Sequence, residues 1–445
     1  MTLALARMIH KCCRALACSF ARHEYFGRCP YAWLRPSCQS MRGEQRPGAI
    51  ITAIYESSGL AHQNSQSPAL TWQDDLCSHI AIDANTPCYN INGMRPAVAS
   101  INIANLQHNF SILKQHARNA EVMAVVKANA YGHGLHLVAP ALFDADCRHF
   151  AVTDATEGIE ARDLVPDAAS IVLLSGIFDA KDAELAVTAK LTPVIAETDQ
   201  AELLHAAGFT DAVWIKINTG MQRLGTNDPA TLIDLCKSKG IAIIGIMSHL
   251  ACADTPEHPL NSVQAEAFKR AHLQFAPDLS ASLLNSAGLV SLPDATYDFI
   301  RPGIALYGIE PVAEEPMGLK PVMQFTGEVM QVHHLAKGVS LSYGASFTVP
   351  EDMRIAVISL GYGDGLPRPL SNIGSAIYQG NKLSIAGRIC MDFCLVDLGT
   401  HDIQRGDAIE FWGESLYAGE VAEQIGTIAY ELFTDINKRV QRRAI

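Results

Sequence analysis

The chain has 445 residues, enough for two or three domains, and its 49% hydrophobic and 18% charged content is ordinary for a globular protein. A formal net charge of −12 argues against a general nucleic-acid binder. No stretch approaches the ~18 consecutive apolar residues of a membrane helix, and no cysteine pair shows the C-x-x-C spacing of a zinc site, so no metal is expected.

Residues 1–93 lack sustained apolar periodicity. Arg7, Lys11 and Arg14 interrupt the apolar centre that a secretory signal needs. The segment reads as a disordered extension or as sequence outside the natural product, with Met94 as the start; a targeting peptide and a genuine appendage are the alternatives. Residues 96–103 then alternate as a strand that is a candidate to join a sheet further along the chain.

From residue 120 to 305, β-rich apolar runs alternate with amphipathic stretches such as Leu106–Ala120 and Pro259–Phe275. The runs are Val122–Val126, Phe150–Thr153, Ile171–Leu174, Thr192–Ile195, Val213–Ile217, Ile243–Met247, Ala281–Leu284 and Tyr297–Ile300. Eight such units predict an α/β fold, a closed (β/α)8 TIM-like barrel spanning 94–325. An open doubly wound sheet is the competitor. The barrel is preferred because chemically capable residues recur at the carboxyl ends of the runs, where barrel enzymes build their sites. After Pro321 come short strand-like segments between Gly, Pro and Asn turns: Glu328–His333, Arg354–Ser359, Ala376–Tyr378, Lys382–Ile385 and Ala408–Phe411. They predict a mainly β domain over 326–445.

The chemistry concentrates at the ends of these runs. Ala124-Val-Val-Lys127-Ala-Asn-Ala-Tyr131-Gly-His-Gly134 delivers one amine at the end of an apolar strand. A lysine held among apolar neighbours loses its charge more readily, and the neutral amine can form a Schiff base with an aldehyde. Lys216 lies near the end of the fifth run, and Arg223 follows it after a glycine turn, able to grip a carboxylate or phenolate. His249 ends the sixth and could stack on a planar ring or be a satisfied core residue. Asn285, Ser286 and Gly288 end the seventh; Arg301, Gly303 and Ile304 follow the eighth, where small residues often bind phosphate through backbone N–H groups. In the second domain, glycine-bounded turns present Tyr343 and Tyr362, and Cys390-Met391-Asp392 and Tyr430-Glu431 complete the set.

In this order, from Met94 to the C-terminus, these blocks resemble the alanine racemases of the fold-type III pyridoxal-phosphate enzymes. The resemblance implies interconversion of L- and D-alanine through a pyridoxal 5′-phosphate external aldimine, by two bases on opposite faces: Lys127, which also carries the cofactor, and Tyr343. It assigns Tyr131, Ser286, Gly303, Ile304 and Tyr430 to the phosphate, with Asn285 beside them. Arg301 is assigned to the pyridine nitrogen and His249 to the ring. Arg223 and the Met391 amide are assigned to the substrate carboxylate, and Tyr362 to the entrance. Lys216 stands where many members carry a carbamylated lysine. A cytoplasmic homodimer is implied, each subunit lending Tyr343 and Met391 to its neighbour, with no nucleic acid or membrane as partner and D-alanine either supplied for peptidoglycan or catabolised.

A phenol acts as a base near neutrality only beside a cation, for which His249 and Arg223 are the candidates. Leu366 replaces an aromatic often found at the end of the Gly361–Gly365 block, a departure expected to bear on the entrance. Three other readings share the scaffold: a racemase of other amino acids, a pyridoxal-phosphate-binding protein without turnover, and a decarboxylase using Cys390.

Overall fold

The computed structural model describes residues 96–445. The expectations for residues 1–93, and for the cysteines within them, lie outside the described residues.

Eight parallel strands close into a barrel: β2 (Glu121–Val125), β3 (His149–Val152), β4 (Ser170–Leu173), β5 (Thr192–Ile195), β6 (Ala212–Lys216), β7 (Ala242–Met247), β8 (Ser280–Asn285) and β9 (Phe299–Arg301). The last pairs back onto β2 through Glu121↔Phe299 and Val122↔Ile300. These strands read as unbroken apolar runs because both faces are covered, one by the barrel interior and one by helices. Helix α1 (Ile103–His116) precedes the first barrel strand. Outer helices α2 (Leu135–Asp144), α3 (Ala155–Arg162), α4 (Ala180–Thr188), α5 (Thr198–Ala206), α6 (Pro229–Ser238) and α7 (Pro259–Phe275) follow β2 to β7 in turn.

Caps set where these helices begin. Asp154, Asp179 and Asp228 each accept a backbone N–H of the first turn, and Pro229 occupies a position whose N–H would have no helical partner. The connections after β8 and β9 shrink to a one-turn α8 (Gly288–Ser291) and a 3-10 turn (Ile304–Tyr307), leaving that edge of the mouth open to small groups.

The second domain is an antiparallel system built on one long strand, β10 (Met323–Leu335). Its first half pairs with β1 (Val98–Ile101) and with β17 (Ala408–Trp412); its second half pairs with β13 (Met353–Ile358). Strand β1 is therefore part of this sheet rather than of the barrel, and the final strand, β18 (Gln441–Ala444), lies parallel to it. The first seven residues of β10 alternate buried and half-buried, as a strand with one core face should, and Phe325 stacks on Trp412 at 4.4 Å.

Two polar side chains anchor the start and the end of the second domain on the barrel. Fully buried Asn109 of α1 donates to the carbonyls of Leu306 and Lys320 and accepts from the Lys320 amide. Arg442 of β18 donates to the carbonyls of Gly132, Ile436, Asn437 and Val440, stapling the C-terminal tail to the loop after β2. No helix among the described residues is long and apolar enough to cross a membrane, and the five described cysteines are unpaired.

Arg442→Met keeps the stem but strips the donors from four carbonyls, so a loss of about 3 kcal/mol is expected in urea unfolding. A loss below about 0.5 kcal/mol, the scale of an ordinary surface substitution, would show that the tail needs no such staple.

Candidate active site

Lys127 follows β2 at the mouth of the barrel. Residues 128–131 after it form a left-handed turn, with φ between 50° and 55° at Ala128, Asn129, Ala130 and Tyr131, and none of the four is glycine. Each costs on the order of 1–2 kcal/mol relative to the right-handed form, so outside contacts must hold the turn. Glu157 of α3 accepts the Ala128 N–H through one carboxylate oxygen (2.7 Å) and the Thr153 N–H through the other (2.8 Å). At the far end, the His133 ring nitrogen Nδ1 lies 2.9 Å from the Tyr131 carbonyl, and Asn129 caps α2 through the Leu135 amide.

The His133 imidazole is fully buried between the Tyr307 and Phe433 rings, and burial pulls its pKa down from 6.5 to about 4. Its Nδ1 therefore carries the hydrogen and donates. Nε2 has no partner among the described residues.

The turn brings the Tyr131 ring against those of Tyr307 (5.0 Å) and Tyr430 (5.7 Å), the latter on α10 (Ala429–Thr434), which follows α9 (Ala418–Glu423). Burial raises the Tyr131 hydroxyl far above its ordinary pKa, so it stays a neutral donor. Beside it, Ser286 accepts from the amides of Gly303 (3.0 Å) and Ala305 (3.4 Å). The Ile304 amide between them has no acceptor among the described residues. A Cβ on Gly303 would sit 2.4 Å from the Tyr131 hydroxyl, so this concave corner requires glycine. Asn285 caps α8 through the Gly288 amide at 2.8 Å.

Across the mouth the site is cationic. Buried Arg301 donates to the Ser282 hydroxyl (2.5 Å) and to the carbonyls of Ser248 (2.5 Å) and Leu283 (3.2 Å), and reaches Nδ1 of His249 at 3.4 Å. No carboxylate pairs with it among the described residues, and burial brings its pKa down to about 10. Lys216 Nζ donates to the Leu174 carbonyl at 3.1 Å; burial, then Arg301, Arg223 and Lys127, lower it to about 8. Lys127 is lowered by burial and by Arg223, against a raising influence from Glu157.

His249 is driven well below its ordinary value by burial first, then by Arg301, Arg223, Lys216 and Lys127. This disfavours the charged form of His249, one of the two candidate cations beside a phenol, and favours a neutral ring. Gln264 of α7, fully buried, fixes it by donating to the His249 carbonyl (2.9 Å) and accepting the Ala251 amide (2.9 Å).

The structure thus gathers Lys127, Tyr131, Lys216, Arg223, His249, Asn285, Ser286, Arg301, Gly303, Ile304 and Tyr430 around one mouth. Tyr343, Tyr362 and Met391 form a separate cluster on the second domain. The amides of Tyr362 and Gly363 donate to the carbonyls of Cys390 and Met391, while the Ser342 hydroxyl beside Tyr343 donates to Arg388. Tyr343 is 71% exposed and Met391 53% exposed in the single chain. Neither acts on Lys127, whose electrostatic neighbours are Arg223 and Glu157.

Leu366 is fully buried, so its difference from an aromatic is a matter of core packing and not of an entrance. The Gly361–Gly365 block is ordered by buried Asp364, which accepts the Gly361 amide and pairs with Arg439 at 2.7 Å.

Sequence reasoning assigned no role to Glu157, His133, Gln264, Arg439 or Arg442. Glu157 left a signal, the Asp154-x-x-Glu157 spacing that opens a helix; His133 acts locally, on a left-handed turn that the sequence does not announce, and Gln264, Arg439 and Arg442 act across distances that spacing does not encode.

Residues 101–311 match the family profile described as alanine racemase, N-terminal domain, and 322–444 match alanine racemase, C-terminal domain. The biosynthetic alanine racemase of Pseudomonas aeruginosa is 39% identical over 361 residues, 79% of this chain and 99% of that protein. The Stutzerimonas stutzeri alanine racemase is 40% identical over 362 residues, 79% of this chain and all of that one. Among solved structures, the P. aeruginosa biosynthetic enzyme superposes with a TM-score of 0.73 at 38% identity, covering 79% of this chain and 100% of that chain. An alanine racemase from Bartonella henselae with covalently bound pyridoxal phosphate gives 0.74 at 35% identity, with the same coverage.

A histidine held neutral in the fold takes up its proton near 6.5 once unfolded, so stability should fall as pH drops from 6.5 toward 4. For His133 the loss should reach about 3 kcal/mol at the acid end. Urea unfolding of the wild type against His133→Asn across that window isolates it; parallel curves would contradict a neutral buried imidazole.

Proposed function

The chain belongs to the alanine racemase family, and we propose that it interconverts L- and D-alanine using Lys127 and Tyr343 as opposed bases around pyridoxal phosphate. The observation that carries this reading is the barrel mouth itself. It joins a half-buried amine of lowered pKa to a glycine-requiring corner with an unpartnered amide, beside a buried arginine that no carboxylate neutralises. That donor set fits a phosphorylated, heteroaromatic aldehyde. Lys127 would hold it covalently; Tyr131, Ser286, Gly303, Ile304 and Tyr430 would hold its phosphate, with Asn285 shaping the corner. Neutral His249 would lie against its ring.

Bound there, pyridoxal phosphate makes the α-hydrogen of an amino acid acidic by drawing electron density into its ring. Lys127 Nζ then removes or returns the proton on one face, and Tyr343 Oη does so on the other. Arg301 retains its protons, so it would donate to a bound ring nitrogen and leave that nitrogen unprotonated, which would disfavour side transamination. Arg223 and the Met391 amide orient the substrate carboxylate, and Tyr362 stands near the entrance. With His249 neutral, Arg223 is the remaining candidate among the two cations considered for assisting the phenol. Lys216, with an amine near neutrality among three cations, is suited to carbamylation: the resulting anion would sit between Arg223 and Arg301.

Tyr343 and Met391 reach this mouth in a homodimer, brought by the partner subunit. Support comes from the exposure of Tyr343, Met391, Tyr362 and Phe393 together on one domain. The unpaired thiols among the described residues suit a reducing cytoplasm, and the likeness to the biosynthetic alanine racemase of P. aeruginosa favours D-alanine supply over catabolism.

Purified protein incubated with L-alanine and pyridoxal phosphate should carry it to a racemic mixture on chiral chromatography. Absence of D-alanine defeats the proposal, release of carbon dioxide indicates a decarboxylase, and faster turnover of serine or lysine indicates a different racemase. Lys127→Ala and Tyr343→Phe should each lose on the order of 10²–10⁴ in rate. Mixing the two after dissociation should restore about a quarter of wild-type activity, because half of the dimers are mixed and each of those has one intact site. No recovery would place both bases in one chain.

A further inference from the structure

Four consecutive non-glycine residues in the left-handed region present both the amine of Lys127 and the hydroxyl of Tyr131. Their backbone end is exposed to a single side-chain donor. The Tyr131 carbonyl accepts no backbone N–H among the described residues, and its only partner is Nδ1 of His133, at 2.9 Å. That ring cannot drift: Tyr307 stacks on it at 4.4 Å and Phe433 meets it edge-on at 4.9 Å. The same Tyr307 ring carries Tyr131 on it, at 5.0 Å, and its hydroxyl donates to the Val125 carbonyl at the end of β2. Nε2 of His133 is buried without a partner among the described residues, and the backbone of Ala130 also acts on the ring, so the polar contacts of the imidazole are directed at this turn.

We infer that His133 is a positioning residue for the cofactor. Its Nδ1–H fixes the carbonyl of Tyr131 and thereby aims the Tyr131 hydroxyl at the Gly303–Ile304 corner while Lys127 stays in register. The inference rests on the reading of Lys127 and Tyr131 as cofactor-binding groups and goes beyond it by naming what sets their geometry. The role is one of hydrogen-bond direction, and this separates it from simple filling of an apolar space. Asparagine places its amide nitrogen where Nδ1 stands; glutamine places one near Nε2, facing away from the carbonyl; leucine fills the space and donates nothing.

The test is titration of the cofactor-free protein with pyridoxal phosphate, followed by absorbance, for wild type and for His133→Asn, His133→Gln and His133→Leu. His133→Asn should bind within about threefold of wild type, and His133→Leu and His133→Gln roughly tenfold more weakly, the change that corresponds to one buried hydrogen bond. Were His133 only packing, the order would reverse, because leucine suits an apolar slot and asparagine does not. Leucine binding as wild type, or asparagine as weak as leucine, overturns the inference. If His133→Leu gives no soluble protein, the Asn and Gln pair decides alone: equal affinities overturn the role and the predicted separation supports it. A wild-type protein that takes up no pyridoxal phosphate defeats the functional reading instead, so the two failures are distinct.

Discussion

Positive charge confined in a low-dielectric barrel mouth is the constraint on which the rest of this molecule turns. Lys127, Lys216, Arg223 and Arg301 act on one another or on His249 there, in a chain whose overall charge is −12. Glu157 is the carboxylate that reaches Lys127, and it is engaged by two backbone amides. Such an arrangement costs stability unless anions arrive to relieve it. On the proposed reading, a phosphate at the Ser286–Ile304 corner and a carboxylate near Arg223 would meet that need. Binding and catalysis then draw on the same electrostatics: the field that attracts the anions also weakens the hold of Lys127 on its proton and keeps His249 neutral.

Placing an amine in such a field requires rigidity, and the loop after β2 supplies it through strain held from outside. Glu157 fixes its start, His133 its end, and Arg442 fastens Gly132 to the C-terminal tail. The second domain therefore contributes to the barrel's site even within one chain, through Tyr430 against Tyr131 and through the tail. Long cross-links of this kind let one barrel strand present an amine at a fixed angle while the backbone after it is in an unfavourable conformation.

Much of the architecture was legible because parallel barrel strands are apolar throughout. All eight predicted runs fall within two residues of the strands observed, the ends being extended by polar residues such as His149, Ser170 and Arg301 that pair without being apolar. Strand β18 was invisible: Gln441-Arg-Arg-Ala has no strand periodicity and is extended because β1 pairs with it. The left-handed turn was hidden for the opposite reason, since Ala-Asn-Ala-Tyr favours ordinary helix and is overridden by contacts that arrive from 29 residues away at Glu157. Site residues were readable where they sit at strand ends. Their charge states were not: the lowered pKa of His249 follows from burial first and then from four cations at the ends of three strands, β2, β6 and β9, and no local sequence shows it.

The central claim is that the amine of Lys127, among all the lysines near the mouth, is the one that carries the cofactor. Reduction of the pyridoxal-phosphate-loaded protein with borohydride, followed by peptide mapping by mass spectrometry, tests it directly. The account predicts a pyridoxyl mass on the peptide containing Lys127 and none on Lys216. A label on Lys216, or no stable label on any lysine, would contradict it.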